Sequence, residues 1–413
     1  MTNRNATSAS MGIRGVWFAL MQRRTARWSI AVLFIFSFFG IFADFIANEK
    51  PLYCKIDGKH YFPVFQDFKE HLGLGRRSSI FSLGNWQELP YEKVIFPLIP
   101  YSAGTIDRKN LGYVSPFESQ RVQHWHQRHW LGTDQIGRDV AAGLIQGARA
   151  ALLVGLLSMS VAMAIGVLLG GIAGFFGDHS LTLKRWQIVL ALPAVALSIF
   201  WAQVPGADGT GAGPFKTVIW ASTAFLIAII LGAYLGRKAH NVSLPADFIV
   251  MRLIEVMNSI PALLLLICAA ALMQKPSLWM VMIIIGLIRW TGIARFVRAE
   301  LLRIRNLGYV EAARVLGFSE WHILWRHALP NALPPAMITL AFGIAGAILL
   351  EAFLSFLGIG VAPDQVTWGT MLQASRSNFS AWWLALSPGV AIFITVTVFN
   401  LLGESLSDAL EKR

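Results

Sequence analysis

Charge is scarce in this sequence. Asp, Glu, Lys and Arg together make up 14% of its 413 residues, against about 25% in an ordinary soluble domain. A chain this poor in charge cannot cover a water-facing surface, which excludes a soluble enzyme and argues against disorder. Cysteine is nearly absent. Cys54 lies in a polar stretch and Cys268 inside an apolar run, and the two form neither a disulfide framework nor a zinc spacing; they read as unpaired thiols. No Gly-x-x-x-x-Gly-Lys-Ser/Thr phosphate loop occurs anywhere, so the chain lacks the cradle that would let it hydrolyse a nucleotide itself. Ser/His/Asp and metalloprotease constellations are missing too.

What fills the sequence is apolar: 55% hydrophobic residues and a mean hydropathy of +0.55. That composition fits a protein solvated by lipid. The 35 Lys and Arg exceed the 23 Asp and Glu, giving a net charge of +12. In a soluble protein such an excess suggests nucleic acid; in a membrane protein it marks basic loops held on the cytoplasmic side. The position of the basic residues separates the two.

A spanning helix needs about 20 mostly apolar residues. Eight stretches qualify: 28–47, 151–176, 186–204, 217–236, 248–273, 278–297, 336–357 and 388–402. The first follows a basic flank (Arg14, Arg23, Arg24, Arg27), has no small-residue cleavage site and reads as an uncleaved anchor. The second carries Ala162, Gly166, Gly170 and Gly174 at four-residue spacing, a stripe that lets another helix approach closely in lipid. The fifth is interrupted by Pro261. Short loops holding Lys184 and Arg185, Arg237 and Lys238, residues 295–326, and Lys412 with Arg413 are basic. An eight-span topology with both termini inside puts all of them in the cytoplasm, which accounts for the +12 without nucleic acid. Residues 1–27 then form a cytoplasmic tail and 48–149 an outer segment. There, strands at 52–56 and 60–64 flank the turn-like pair Asp57-Gly58.

The most informative segment lies between the sixth and seventh spans. Tyr309, Ala312, Ala313 and Leu316 fall at i, i+3, i+4 and i+7, one face of a short amphipathic helix. Gly317 stops that helix and Ser319 can cap the next, which runs toward Pro330. Periodicity alone describes a surface helix between two spans. The residues themselves say more. Glu311-Ala312-Ala313, then Gly317, then Leu329-Pro330 resemble the EAA loop of importer-type ABC transporter permeases. His327 stands where the family pattern usually has Ile, as is common in oligopeptide-type members. Three further stretches resemble the dipeptide and oligopeptide permeases: 129–140, with Gly132, Thr133, Asp134, Gly137, Arg138 and Asp139; 351–360 followed by Trp368-Gly369; and 399–410. Residues 46–63, with Asn48-Glu49-Lys50-Pro51 and Tyr61-Phe62-Pro63, are similar to the YejE-type branch, which serves uptake of peptides and peptide antibiotics.

The resemblance implies an all-α type I importer transmembrane domain in the inner membrane. It comprises a six-span core made of the first span at 28–47 and five more within 150–413, an inserted helix pair at about 179–246 that the usual core lacks, an irregular lid- or scoop-like periplasmic segment and a cytoplasmic coupling loop at about 298–335. It implies a conduit for peptides that is not itself an enzyme and holds no cofactor, ATP-Mg being bound by partners. Those partners are a second homologous permease, two ATPase domains and a periplasmic peptide-binding protein. The coupling loop would dock on the ATPase, with Glu311 offered to a basic residue there and the paired alanines allowing close approach.

Outside the loop, Arg289 and Glu351 lie deep in spans, where a charge is a functional suspect; each serves equally well as a paired structural charge. Glu351 matches a family position suited to a gate or to packing between two permease subunits. Pro261 suits a kink along a translocation path. His124, His126 and His129 lie close together, yet with no cysteine and few carboxylates nearby they make a poor metal site. An ion-driven secondary transporter would show inverted repeats and matching broken helices. A membrane-embedded enzyme would show converging catalytic side chains. The sequence has neither pattern.

Overall fold

The computed structural model describes residues 20–66, 91–178 and 241–411, except 123, 272–276 and 363–364, together with 182–184 and a few isolated positions. The expected spans at 186–204 and 217–236 lie outside the described residues. Among the described residues, five helices are long and apolar enough to cross a bilayer.

The first, α1 (Arg24–Ile41), breaks at Phe42 into the short α2 (Ala43–Ile46). The expected hairpin follows: β1 (Tyr53–Ile56) pairs antiparallel with β2 (Lys59–Tyr61) around Asp57 and Gly58, both with positive φ, the backbone a tight two-residue hairpin turn needs. A third strand, β3 (Lys93–Ile95), pairs with the other edge of β1 and buries Cys54. Its brevity and lack of alternation hid it in the sequence.

Helix α3 (Val140–Phe176) begins with Asp139 as N-cap, whose carboxylate accepts the Ala142 amide at 2.7 Å. Its 37 residues run about 55 Å at about 1.5 Å per residue, far beyond a bilayer core of about 30 Å. The helix starts at Val140, eleven residues before the expected span at 151–176, so the expected boundary at 149/150 falls inside it.

After α3, strand β4 (Thr182–Lys184) pairs antiparallel with β5 (Asn241–Ser243). The Phe248 amide also donates to Asp178 at 2.9 Å. The chain thus leaves at about 179 and returns at about 246 to the same place.

The expected fifth span is two helices, α4 (Ala246–Ser259) and α5 (Ala262–Ala271), bent by 82°. Pro261 disfavours helical backbone in the residue before it, and Ile260 is extended. At 14 and 10 residues the helices reach about 21 and 15 Å, each too short to span alone. A single kinked span at 248–273 is thus replaced by a sharply broken pair.

Helix α6 (Leu278–Ile304) packs along α3, and the small-residue stripe is the reason. A Cβ at Gly174 would fall 2.6 Å from the Arg298 carbonyl oxygen, so only glycine permits this approach. Next come α7 (Gly308–Val315) and α8 (Glu320–Ile323). A π-turn (Leu324–Ala328) then leads into α9 (Leu329–Phe356). In that turn the Leu329 amide reaches back to Leu324, which eases Pro330 into a helix that a proline ring would otherwise disrupt. The coupling segment and the seventh span are therefore one rod from Glu320 to Phe356, instead of a helix that ends at Pro330. Helices α10 (Trp368–Ser375) and α11 (Trp382–Glu411) complete the fold. Arg23 pairs with Asp408, and Thr25 with Ser405, so the start of α1 and the end of α11 lie on one side.

The coupling segment and the helices that hold it

Helix α7 has two apolar faces. Val310 and Ala313 turn inward and are buried against the chain's own core. Tyr309, Ala312 and Leu316 turn outward, joined by Val315 and Phe318. This corrects the expected single face, because Ala313 is an anchor and only Ala312 of the alanine pair is open to a partner. Val315 is 88% and Leu316 76% exposed. Glu311 is exposed beside them.

Gly317 ends α7 with φ +82°. The Phe318 amide donates to the Ala313 carbonyl (3.2 Å) and the Gly317 amide to Arg314 (2.9 Å), the paired closing bonds of a glycine-terminated helix. A Cβ at Gly317 would meet nothing; the requirement is backbone conformation, not space. Ser319 caps α8 by accepting the His322 amide at 3.3 Å.

The turn is clamped to the end of α3. Arg314 pairs with Glu320 at 2.9 Å, lies over the Phe175 ring at 5.7 Å and donates to the Arg305 carbonyl at 3.2 Å. Phe176 packs on Trp321 with ring centres 4.8 Å apart. Asn331 donates to Tyr309 at 3.3 Å, tying α7 to the rod. Leu329 is buried and Pro330 exposed. Arg314, Glu320 and Phe175 went unnoticed in the sequence; the arginine six residues before a glutamate across a glycine turn was the available signal.

At the other end, the 129–139 motif folds inward. Gly132 (φ +75°) has no room for a side chain, since a Cβ would sit 2.7 Å from the Val114 carbonyl oxygen. Thr133 is buried and donates to the Asn110 carbonyl at 3.1 Å. Asp134 accepts the amides of Ile136 (3.0 Å) and Arg138 (2.8 Å) around Gly137. His129 is buried between two carboxylates, Asp139 at 2.7 Å and Asp107 at 3.2 Å, and stacks on Tyr101. Burial opposes its protonation, but those two hydrogen bonds outweigh it and hold the imidazole above its usual pKa. Burial likewise pushes Asp107 up, and bonds from His129, Asn110 and the Lys109 amide bring it down to about 2. Burial raises Asp134. Asp107 and Tyr101 were invisible in the sequence because they are distant along the chain. His124 and His126 stack together away from this node. Among the described residues no cluster of His, Cys, Asp or Glu could hold a metal.

Between the motif and the outer end of α9 lies a cavity of about 440 Å³ bordered by Asp134, Arg138, Thr370, Gln365 and Gln373. Trp368 donates to the Leu144 carbonyl and Trp383 to that of Thr133, each at 3.0 Å, closing this end. Glu351 is buried and accepts the Ser355 hydroxyl at 2.7 Å. It points into the interior of its own chain. Pro261 sits exposed at the break between α4 and α5. Arg289, on α6, reaches toward Gly346 of α9.

A helical bundle with helices long and apolar enough to cross a membrane, an exposed apolar face on α7 and a largely self-bonded 129–139 motif fits a membrane-spanning subunit. The comparisons agree. Residues 224–413 match the family of binding-protein-dependent transport system inner membrane components, and the chain belongs to that family. It is 28% identical to the peptidoglycan transport system permease protein YejE of Agrobacterium fabrum, over 96% of this chain and 92% of that one. It is 30% identical to the probable D,D-dipeptide transport system permease protein DdpC of Escherichia coli (69% and 74% covered). It is also 30% identical to the glutathione transport system permease protein GsiD of Pectobacterium atrosepticum (73% and 80%). The chain is accordingly an inner-membrane ABC permease subunit, not an enzyme, and it works with an ATPase and a substrate-binding protein.

Proposed function

We propose that this chain forms one half of a pathway for peptides or peptide-like compounds and is driven by an ATPase that docks on α7. The reading gives it a second homologous permease as partner, two ATPase domains below and a periplasmic peptide-binding protein above, with both termini cytoplasmic. The observation that carries it is the outward apolar face of α7 (Tyr309, Ala312, Val315, Leu316), joined through one turn to a rod long and apolar enough to cross a membrane. A displacement of α7 by a closing ATPase pair is delivered along that rod, which biases the helices between two arrangements. The names of the relatives, which include peptide, dipeptide and glutathione systems, support a peptide-like cargo.

The test is Gly317→Val in the full complex in proteoliposomes. A β-branched residue at φ +82° is strained by about 1–3 kcal/mol, so the turn reorients. Peptide uptake driven by ATP should fall at least about tenfold, because about 1.4 kcal/mol is a factor of ten, while membrane insertion persists. Undiminished uptake would sink the proposal.

A further inference from the structure

Among the described residues, Arg289 has no anion beside it. It lies on α6, eleven residues from Leu278, about 17 Å along the helix from its outer end. Gly346 lies ten residues from Phe356 on α9, about 15 Å from the corresponding end. Both therefore sit near the middle of a bilayer core of about 30 Å. Gly346 is what makes room for the guanidinium, because a Cβ there would fall 2.7 Å from Arg289 Nη2. Among the described residues no carboxylate lies within ion-pair distance of Arg289, and its buried Nε has no hydrogen-bond partner. Two other arginines of α6 differ: Arg298 is held by Asp247 and Arg303 by Glu300.

The surroundings say where this cation faces. On α9, Phe342, Leu349 and Phe353 share the face of Gly346 and are exposed, whereas Ile344, Ile348, Glu351 and Ser355 are buried in the subunit. On α6, Phe296, on the same face as Arg289 two turns further along, is exposed as well. Arg289 thus stands at the open side of the bundle, where a pathway shared with a second subunit would run. A charge at that depth is costly unless it is paired. A slot cut for it by a glycine, with no resident anion, suits an anion that comes and goes.

We propose that Arg289 binds the carboxylate of the passing cargo at mid-membrane, the planar guanidinium taking the C-terminal carboxylate of a peptide through two parallel hydrogen bonds. This rests on the reading of the chain as a peptide permease. It makes Arg289 a specificity-determining residue for cargo with a free carboxyl end.

The experiment uses the reconstituted complex with saturating loaded binding protein. Uptake of a tripeptide with a free C-terminus is compared with uptake of its C-terminal amide. Because the binding protein is the same throughout, its own preference cancels when permease variants are compared. Arg289→Gln should lower the acid-to-amide uptake ratio at least about tenfold, the scale of a hydrogen bond to a charged group. Arg289→Lys should keep part of the ratio. Gly346→Ala should lower the ratio with the arginine still present, by filling the slot. Equal loss of both peptides in Arg289→Gln would mean a structural charge, paired for instance by the other permease, and would overturn the proposal. So would an unchanged ratio. If the wild-type complex hydrolyses ATP but takes up neither peptide, the peptide reading itself fails and the proposal with it.

Discussion

The turn at 308–330 and the turn at 129–139 are both glycine-punctuated, both flank long helices and both carry family motifs, yet they treat their side chains oppositely. The outer motif turns most of its polar residues on itself. Thr133, Asp139 and His129 are buried and bonded, and Asp134 caps its own turn. The 308–318 segment anchors two residues, Val310 and Ala313, and leaves a row of large apolar ones in the open. A motif that satisfies itself builds the fold; a motif that leaves apolar surface unsatisfied is shaped by something outside the chain. The same distinction separates the two deep charges. Glu351 has Ser355, while among the described residues Arg289 has no carboxylate within ion-pair distance.

The comparison breaks most visibly if the open face proves idle. Leu316→Asp places a charge on a side chain that is 76% exposed, so the isolated subunit's stability should move by no more than about 0.5 kcal/mol. In the complex the same carboxylate would be buried against the ATPase without a partner. Association, measured by co-purification or ATPase pull-down titration, should weaken about a hundredfold. Wild-type affinity would show that α7 docks nothing through this face.

The converse substitution belongs to the outer motif. Asp139→Ala removes the N-cap of α3 and leaves His129 with one carboxylate. Loss of a cap costs about 0.5–2 kcal/mol and loss of a buried charged partner about 1–3, so destabilisation of about 2–4 kcal/mol is expected in thermal or denaturant unfolding. ATPase association should be unaffected. A stable variant with impaired docking would invert the contrast between the two ends.

Much of the fold was legible because lipid imposes a simple rule. Runs of about 20 apolar residues and basic loops located α1, α6, α9 and α11, and the stripe at Gly166, Gly170 and Gly174 located the face of α3 that meets α6. The Asp57-Gly58 hairpin was readable from turn chemistry. The helix start at Val140 was missed because residues 140–150, interrupted by Gln146 and Arg149, do not read as part of an apolar run. The 82° break at Pro261 exceeded the expected kink, since a proline in sequence marks an interruption without giving its angle. For the candidate site, the helix stop at Gly317 and the cap at Ser319 were readable in position and role, and Glu311 in position. The inward turn of Ala313 was not, because a period of 3.6 on a helix with apolar residues all round does not choose the buried face. His129 was noticed as one of three histidines, but its partner Asp107 comes from a distant loop and no spacing could supply it.

The smallest expected effect tests whether the outer motif is held partly by charge. His129 is raised above its usual pKa by Asp107 and Asp139 against burial. A group whose folded pKa is raised stabilises fully below its unfolded value, about 6.5, and loses that contribution as pH climbs through the folded value. Asp107, brought down to about 2, stabilises above its unfolded value of about 3.9 and loses its contribution as pH falls below that. Local stability of 101–139, read by amide hydrogen exchange corrected for intrinsic rates, should therefore be greatest between about pH 4 and 6.5 and decline on both sides. His129→Gln should remove the decline on the alkaline side and weaken that on the acid side. The exposed face of α7 contains no comparable buried ion pair, so exchange at 308–316 should follow no such curve. A matching alkaline decline there would mean that the two ends are coupled through α3, whose N-terminus is capped by Asp139 and whose other end carries Phe175 beneath Arg314.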